Sequence, residues 1–221
     1  MKILLCDDHR MLRDGLRSIL EAAGFEVIGE AANGREVLSL SEKLHPDLVV
    51  MDISMPELNG VDATRQLLRQ LPSIKVVGLS MNSDRRYVVA MFAAGAVGYL
   101  LKSSAAEELI VAVRAVAAGL KYVSPAIADR FVDAYLAQTH SVEPAPDHSS
   151  VLQSPKPLSA REREVLQLLA EGKSTKEIAT TLDIAPTTVE THRRQIMDKL
   201  QIRTIAELTK YAVREGLTTL E

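Results

Sequence analysis

Tryptophan does not occur among the 221 residues, aromatic side chains make up only 4%, and cysteine occurs once. A single thiol, Cys6, leaves no partner for a disulfide framework and suits a reducing compartment. It lies inside a short apolar run, so its plain reading is a small core residue. Long hydrophobic stretches are missing as well. The longest, Val88 to Leu101, is interrupted by Gly95 and Gly98 and falls short of the about 20 residues that a membrane span requires. The opening MKILLCDD offers a brief apolar run before two acids, too short for a signal sequence. No membrane association is expected, and the expected compartment is the cytoplasm.

An excess of either charge is also absent, and the balance holds along the chain. Residues 1–122 carry 14 Lys and Arg against 15 Asp and Glu, residues 123–157 carry 2 against 4, and residues 158–221 carry 10 against 10. Any nucleic-acid binding must therefore come from local clustering rather than bulk charge. What the chain does have is length and apolar content, 47%, enough for two domains with a core each.

From Lys2 to about Leu101, short apolar runs alternate with segments of helical period. Strands are expected at Lys2 to Cys6, Glu26 to Glu30, Leu48 to Met51, Lys75 to Leu79 and Val97 to Leu101. Helices are expected between them at about Met11 to Ala23, Gly34 to Leu44, Val61 to Gln70 and Asp84 to Ala94, with a fifth at about Ala106 to Ala118. Gly24, Pro46, Pro72, Gly95 and Gly119 punctuate the helix ends. Five strand–helix units in series imply an α/β domain with a doubly wound, five-stranded parallel sheet. Ser124-Pro125 opens a further helix reaching roughly Tyr135. Gln138 to Pro157 then holds four of the nine prolines and no apolar period, which describes a linker.

From Leu158 onward the period is helical. Three S/T-x-x-E signatures, Ser159 with Glu162, Ser174 with Glu177 and Thr204 with Glu207, mark helix starts, since each hydroxyl can take an orphan amide while the Glu returns to the cap. The segment STKEIATTLDIAPTTVETHRRQIMDKL reads as two helices joined at Asp183 to Ala185, with Val189, Ile196 and Leu200 inward. That is the pattern of a helix-turn-helix in an all-α second domain.

The run LVVMDISMPELNG, Leu48 to Gly60, holds the first candidate site. A continuous apolar run suits a strand buried on both faces, and Asp52 ends it at the carboxyl edge where open α/β sheets bind ligands. With sheet order 2-1-3-4-5, Asp7 and Asp8 after the first strand lie beside Asp52. Clustered carboxylates repel unless a cation neutralises them, and an all-oxygen set suits Mg²⁺. Taken alone, Asp7 and Asp8 equally suit capping of the first helix. Ser80 at the end of the fourth strand can donate a hydroxyl, and Lys102 after the fifth can reach the same point as a charge, although a lone lysine is usually a solvated one.

CDDH at Cys6 to His9, MDISMPELNG at Met51 to Gly60, Ser80, and YLLK at Tyr99 to Lys102 together resemble a response-regulator receiver domain. LSAREREVLQLLAEGKSTKEIA at Leu158 to Ala179 and TVETHRRQIMDKL at Thr188 to Leu200 resemble the LuxR-type helix-turn-helix. The two resemblances cover nearly the whole chain in the NarL/FixJ arrangement. They imply a receiver over residues 1–122, a helix and Pro-rich linker over 123–157, and a DNA-binding domain over 158–221. The implied function is a two-component transcriptional regulator rather than an enzyme.

By that resemblance Asp52 accepts a phosphoryl group from a sensor histidine kinase, and Mg²⁺ sits on Asp7, Asp8, Asp52 and the main-chain carbonyl of Ser54. Ser80 and Tyr99 switch together, and Lys102 pairs with the new charge. Ser54 and Asn82 correspond to positions that tune the phosphate lifetime. Ser103 stands where many receivers have proline. On the second domain, Glu190, Thr191 and Arg194 face base edges in a major groove of double-stranded DNA, and Thr187, Thr188, His192, Arg193 and Lys199 lie near phosphates. Glu190 replaces the Lys of many relatives, and a Glu accepts from a cytosine amino group while repelling phosphate. Asp183 and Ala185 replace the frequent Gly and Ser of the turn and cap. Leu208, Tyr211 and Leu217 on the last helix suggest a homodimer when the protein is phosphorylated or on DNA.

Two other readings stay open at this stage. A DNA-binding protein using the receiver as a phosphorylation-independent dimerisation scaffold predicts loss of a pocket acid or of Lys102. A Mg²⁺-dependent aspartyl phosphatase needs a general acid two residues after Asp52, where Ser54 stands.

Overall fold

A computed structural model describes residues 1–81, 83–128 and 158–218. The chain divides into two compact units, Met1–Ile127 and Ala128–Glu221.

The first unit alternates strand and helix: β1 Lys2–Cys6, α1 Arg10–Ala22, β2 Glu26–Ala31, α2 Gly34–Leu44, β3 Leu48–Asp52, α3 Gly60–Gln70, β4 Lys75–Ser80, α4 Arg85–Ala93, β5 Gly98–Leu101, α5 Ala105–Ala117 and β6 Tyr122–Val123. All pairings are parallel, in the order β2-β1-β3-β4-β5-β6. The five expected strands occupy their expected order, but among the described residues the sheet has six strands. The sixth is two residues long, too short to carry an alternation or an apolar run, and its pairing with β5 is set by the turn that follows α5.

The apolar runs of β1, β3 and β4 are buried because helices cover both faces. Ile3, Leu5, Leu48, Val50, Val77, Leu79 and Leu100 meet Leu16 and Leu20 of α1 and Leu109, Val113 and Val116 of α5. Helices α2, α3 and α4 pack in series, α2 on α3 and α3 on α4. At this density each buried Leu or Val contributes roughly 1.5–3 kcal/mol relative to exposure. Asn33, Asn59 and Asp84 cap α2, α3 and α4 by accepting first-turn amides. The unit's last described segment begins a helix at Pro125. The continuation expected to reach Tyr135, the expected linker Gln138 to Pro157, and Asn82 lie outside the described residues.

The second unit holds α6 Ala160–Ala170, α7 Thr175–Leu182, α8 Pro186–Leu200 and α9 Ile205–Arg214. Ser159 with Glu162 and Ser174 with Glu177 form complete capping boxes. At α9 the geometry differs from that expectation: Thr204 caps the Glu207 amide, but the Glu207 carboxylate accepts from the Thr204 hydroxyl rather than from its backbone. The turn between α7 and α8 runs through Asp183 at φ 51°, ψ 53°, a left-handed conformation that Asp tolerates. Ala185 supplies no side-chain cap, and Pro186 starts α8.

Val165, Leu166, Leu168, Ile178, Val189 and Ile196 form the core, together with Leu208 and Leu217. Leu208, Tyr211 and Leu217 were expected on the last helix as a surface for a second chain, but Leu208 and Leu217 are buried within the unit itself, Tyr211 is partly buried against the same cluster, and Leu217 lies beyond the end of α9. Their apolarity requires no second chain.

Candidate functional site

Four strands deliver carboxylates, a hydroxyl and one ammonium to one edge of the sheet. Cys6 pairs with Met51 across β1 and β3, so Asp7 and Asp52, each one residue further on, emerge side by side. Ser80 pairs with Leu101 across β4 and β5, which brings Lys102 to the same edge. Asp7, Asp52 and Ser80 are buried, and Asp8 is partly exposed.

Lys102 Nζ lies 2.7 Å from Asp7 Oδ2 and 2.8 Å from Asp52 Oδ2. One ammonium thus spans two buried carboxylates. Burial, and then the nearby Asp7 charge, push the Asp52 carboxyl up to about 7, while Lys102 and the Ser54 amide, 3.2 Å from Asp52 Oδ1, pull it back. Burial works against the Lys102 charge, but the two carboxylates overcome it and hold the ammonium above its usual range.

Asp7, Asp8, His9 and Asp52 each place a ligand atom within 4.8 Å of the others. Sequence reasoning had not singled out His9, although it stands in the CDDH motif. Its Nδ1 lies 2.6 Å from Asp8 Oδ1. Asp7 Oδ2 and Asp8 Oδ1 are buried and accept no well-directed hydrogen bond, and their nearest polar neighbours are the Lys102 ammonium and the His9 imidazole. An oxygen-rich, under-satisfied acidic cluster of this kind fits a hard divalent cation such as Mg²⁺.

The loop after Asp52 depends on Gly60. Its amide donates to the Ile53 carbonyl at 2.9 Å, and a Cβ there would stand 2.0 Å from the Asp52 carbonyl oxygen. The chain can turn back beneath its own strand only where no side chain intervenes. Tyr99 is fully buried, and its hydroxyl and that of Ser80 are hydrogen-bonded to each other. Burial, partly opposed by that bond, pushes the Tyr99 phenol up to about 12.

On the second unit, α8 exposes Thr187, Thr188, Glu190, Thr191 and Arg194, while His192, Arg193 and Lys199 are half-buried. Several of these side chains are already engaged. Thr175 at the start of α7 donates to Glu190 Oε1 at 2.7 Å, and Arg193 lies 3.8 Å from Glu190 Oε2. Thr191 donates back to the Thr187 carbonyl. Lys199 Nζ is 2.7 Å from Oε2 of the buried Glu162, which also closes the α6 capping box. A hollow of about 370 Å³ beside α8 is lined by Glu190, Arg193, Arg194 and Arg203 among others. Neither Thr175 nor Glu162 was expected to hold these side chains: Thr175 is an unassigned position of the Ser174–Glu177 motif, and Glu162 showed only its capping role.

Residues 3–114 match the response regulator receiver domain family, and residues 156–212 match the bacterial regulatory proteins of the luxR family. The transcriptional regulatory protein MctR of Rhizobium johnstonii is 37% identical over 220 residues, 99% of this chain and 96% of its own. The response regulator GacA of Pseudomonas aeruginosa is 37% identical over 218 residues, 98% of this chain and 97% of its own. Among solved structures, the response regulator RcsB of Salmonella typhimurium aligns over 97% of this chain and 98% of its own, with 26% identity and a TM-score of 0.56. RcsB has also been solved as a complex with DNA. Among the described residues no helix is long and apolar enough to cross a membrane.

Proposed function

This chain belongs to the DNA-binding two-component response regulators of the LuxR family, and on that premise we propose that phosphorylation of Asp52 by a sensor histidine kinase switches its binding to DNA. The observation that carries the reading is the Lys102 ammonium held between Asp7 and Asp52 at the carboxyl edge of the sheet. An oxygen of Asp52 attacks the phosphorus of a phosphohistidine, the P–N bond breaks with its electron pair passing to the imidazole, and an acyl phosphate forms. Lys102 favours the ionised form of Asp52 against burial and the Asp7 charge before transfer and lies within reach of the new phosphoryl oxygens afterwards.

Asp7, Asp8 and Asp52, with the main-chain carbonyl of Ser54, would hold Mg²⁺, which when bound supplies positive charge against the carboxylates and the phosphoryl oxygens. Ser80 now shares its hydrogen bond with Tyr99. On phosphorylation that hydroxyl would turn to a phosphoryl oxygen, leaving Tyr99, expected to turn inward but already fully buried, without this partner. The event biases one bistable strand end rather than pushing on it.

Helix α8 would lie in a major groove with Glu190, Thr191 and Arg194 toward base edges and Thr187, Thr188, His192 and Arg193 toward phosphates, while Lys199, also expected near phosphates, is engaged by Glu162. The solved RcsB–DNA complex supports DNA as the partner class. A homodimer, formed on phosphorylation or on DNA, completes the proposal; a monomer by light scattering in both states would remove it. The reading places the protein in the cytoplasm and gives it no enzymatic role beyond its own phosphorylation. The phosphatase alternative lacks its general acid, since Ser54 stands two residues after Asp52.

Acetyl phosphate or a phosphoramidate with Mg²⁺ should label the wild-type chain, and Asp52→Asn should abolish that labelling. Persistent labelling of the variant would sink the assignment.

A further inference from the structure

We infer that Ser124 is a positioning residue for Lys102, acting through the main-chain amide of Leu101 and held in place by the carboxylate of Glu108. The inference rests on the reading of Lys102 as the partner of Asp52.

Strand β5 is flanked by β4 on one side and by β6 on the other, but β6 pairs only through Tyr122 and Val123. The ladder continues for one more main-chain bond, from the Ser124 amide to the Tyr99 carbonyl at 3.0 Å. Leu101, the next donor of β5 on that side, then has no strand opposite it. The side chain of Ser124 fills the gap: the Leu101 amide donates to Ser124 Oγ at 3.1 Å. Ser124 is fully buried, so this amide has no water to turn to.

The direction of each proton follows from the groups present. An amide can only donate, so Ser124 Oγ accepts from Leu101 and sends its own proton to Glu108 Oε2, 2.6 Å away. Tyr122 donates to the same carboxylate oxygen at 3.1 Å. Burial, followed by the Glu108 charge, raises the Tyr122 phenol to about 12, which keeps it a donor. Glu108 on α5 therefore clamps both residues of the β6 segment that face it, and Ser124 relays the clamp to β5.

The residue after Leu101 is Lys102, which opens the short 3₁₀ turn Lys102–Ser104 and sends its side chain to Asp7 and Asp52. A flexible four-carbon stem can meet two carboxylates at once only from a fixed origin. The Leu101 amide is that origin. Ser124 also stands three residues before Ile127, where the first compact unit ends. The same hydroxyl thus ties the phosphoacceptor edge to the segment by which the chain leaves the unit.

The test uses the full-length chain with Ser124→Ala, Ser124→Thr and Glu108→Gln. Two readouts are taken at a temperature where all variants are folded: the rate of labelling by acetyl phosphate with Mg²⁺, and the ¹⁵N-detected ammonium signal of Lys102, assigned with Lys102→Met. Ser124→Ala should slow labelling roughly tenfold, in line with the cost of a misplaced reacting group, and should broaden the Lys102 signal. Ser124→Thr, which keeps the hydroxyl, should restore both. Glu108→Gln should fall between, because the amide oxygen can still accept from Ser124. Wild-type labelling rate and an unchanged Lys102 signal in both Ser124→Ala and Glu108→Gln would overturn the inference, whatever their melting temperatures. Failure of the wild type itself to be labelled would overturn the phosphoacceptor reading instead, leaving the Lys102 signal to decide the positioning role.

Discussion

Lys102 Nζ and Asp52 Oδ2 stand 2.8 Å apart with both side chains almost wholly buried, and Asp7 competes for the same ammonium at 2.7 Å. Two carboxylates therefore share one positive charge, with Asp8 close by. Carboxylates thus outnumber the one ammonium at this edge. Repulsion at such a site is tolerated only because the flanking sheet over-determines the backbone that carries it.

The pH dependence of stability should report that repulsion. Asp52 titrates near 7 in the folded chain against an ordinary 3.8. A raised carboxyl binds its proton more tightly when folded, so its contribution is full below about pH 4 and is lost as pH rises to about 7. Metal-free protein should thus lose a few kcal/mol across that window through this group. Asp52→Asn should flatten the curve and raise the urea midpoint at pH 8. Mg²⁺ should raise the midpoint of the wild type at pH 8 and have little effect on the variant. An identical slope between pH 4 and 7 in both proteins would count against the shift.

Gly60→Ala should damage the site through the backbone. The added methyl would meet the Asp52 carbonyl oxygen at 2.0 Å, and main chain cannot step aside as a flexible side chain can. A loss of about 1–3 kcal/mol in chemical denaturation is expected from such overpacking, with slower labelling of Asp52 in the protein that remains folded. Gly119→Ala, where the methyl would meet nothing within 4 Å although the backbone φ is +84°, serves as the comparison and should leave labelling unchanged.

Lys199 should prove more important for stability than for DNA. Its ammonium is 2.7 Å from the buried Glu162, whose carboxyl is desolvated by burial yet held below its usual range by Lys199 and the Ser159 cap. A depressed carboxyl contributes stability above its unfolded value, lost as pH falls through the folded one. Lys199→Met should therefore lower stability by about 1–2 kcal/mol at neutral pH and by less in acid. In DNA binding, its log K against log salt slope should change less than the one unit expected for a lost phosphate contact.

Arg194 and Glu190 should separate in a selection of bound DNA fragments. Arg194 is exposed on α8, and Arg194→Ala should relax preference at one operator position, at a cost of roughly 1–3 kcal/mol for the favoured base. Uniform weakening across sequences would make it a phosphate contact. Glu190 is held by the Thr175 hydroxyl at 2.7 Å. Thr175→Val should blunt discrimination at the Glu190 position while leaving the Arg194 position intact.

Much of the first unit could be read from residue order alone. Leu48 to Met51 read as a buried strand because a strand covered on both faces has no polar alternation to keep. Asp52 and Lys102 followed, since parallel strands deposit their last residues along one edge. The β6 strand could not be read, because two residues carry no period and gain their pairing only from where α5 ends. Leu208 and Leu217 misled for a related reason: apolar character reveals that a face is buried, not what buries it. The capping boxes of Ser159 and Ser174 were legible because both partners lie within four residues.

Sequence by itself determined the five longer strands, the helices between them, their order, and which residue types reach the sheet edge and helix α8. These are local matters of hydrophobic period, caps and turns, expressed over a few residues at a time. Tertiary structure alone decided the pairings: Lys102 with both Asp7 and Asp52, Ser124 between Leu101 and Glu108, Thr175 with Glu190, and Lys199 with Glu162. Each joins groups 15 or more residues apart. A hydrogen bond or ion pair depends on distances of a few tenths of an ångström, and only the packed core sets distances so finely between segments that share no local geometry.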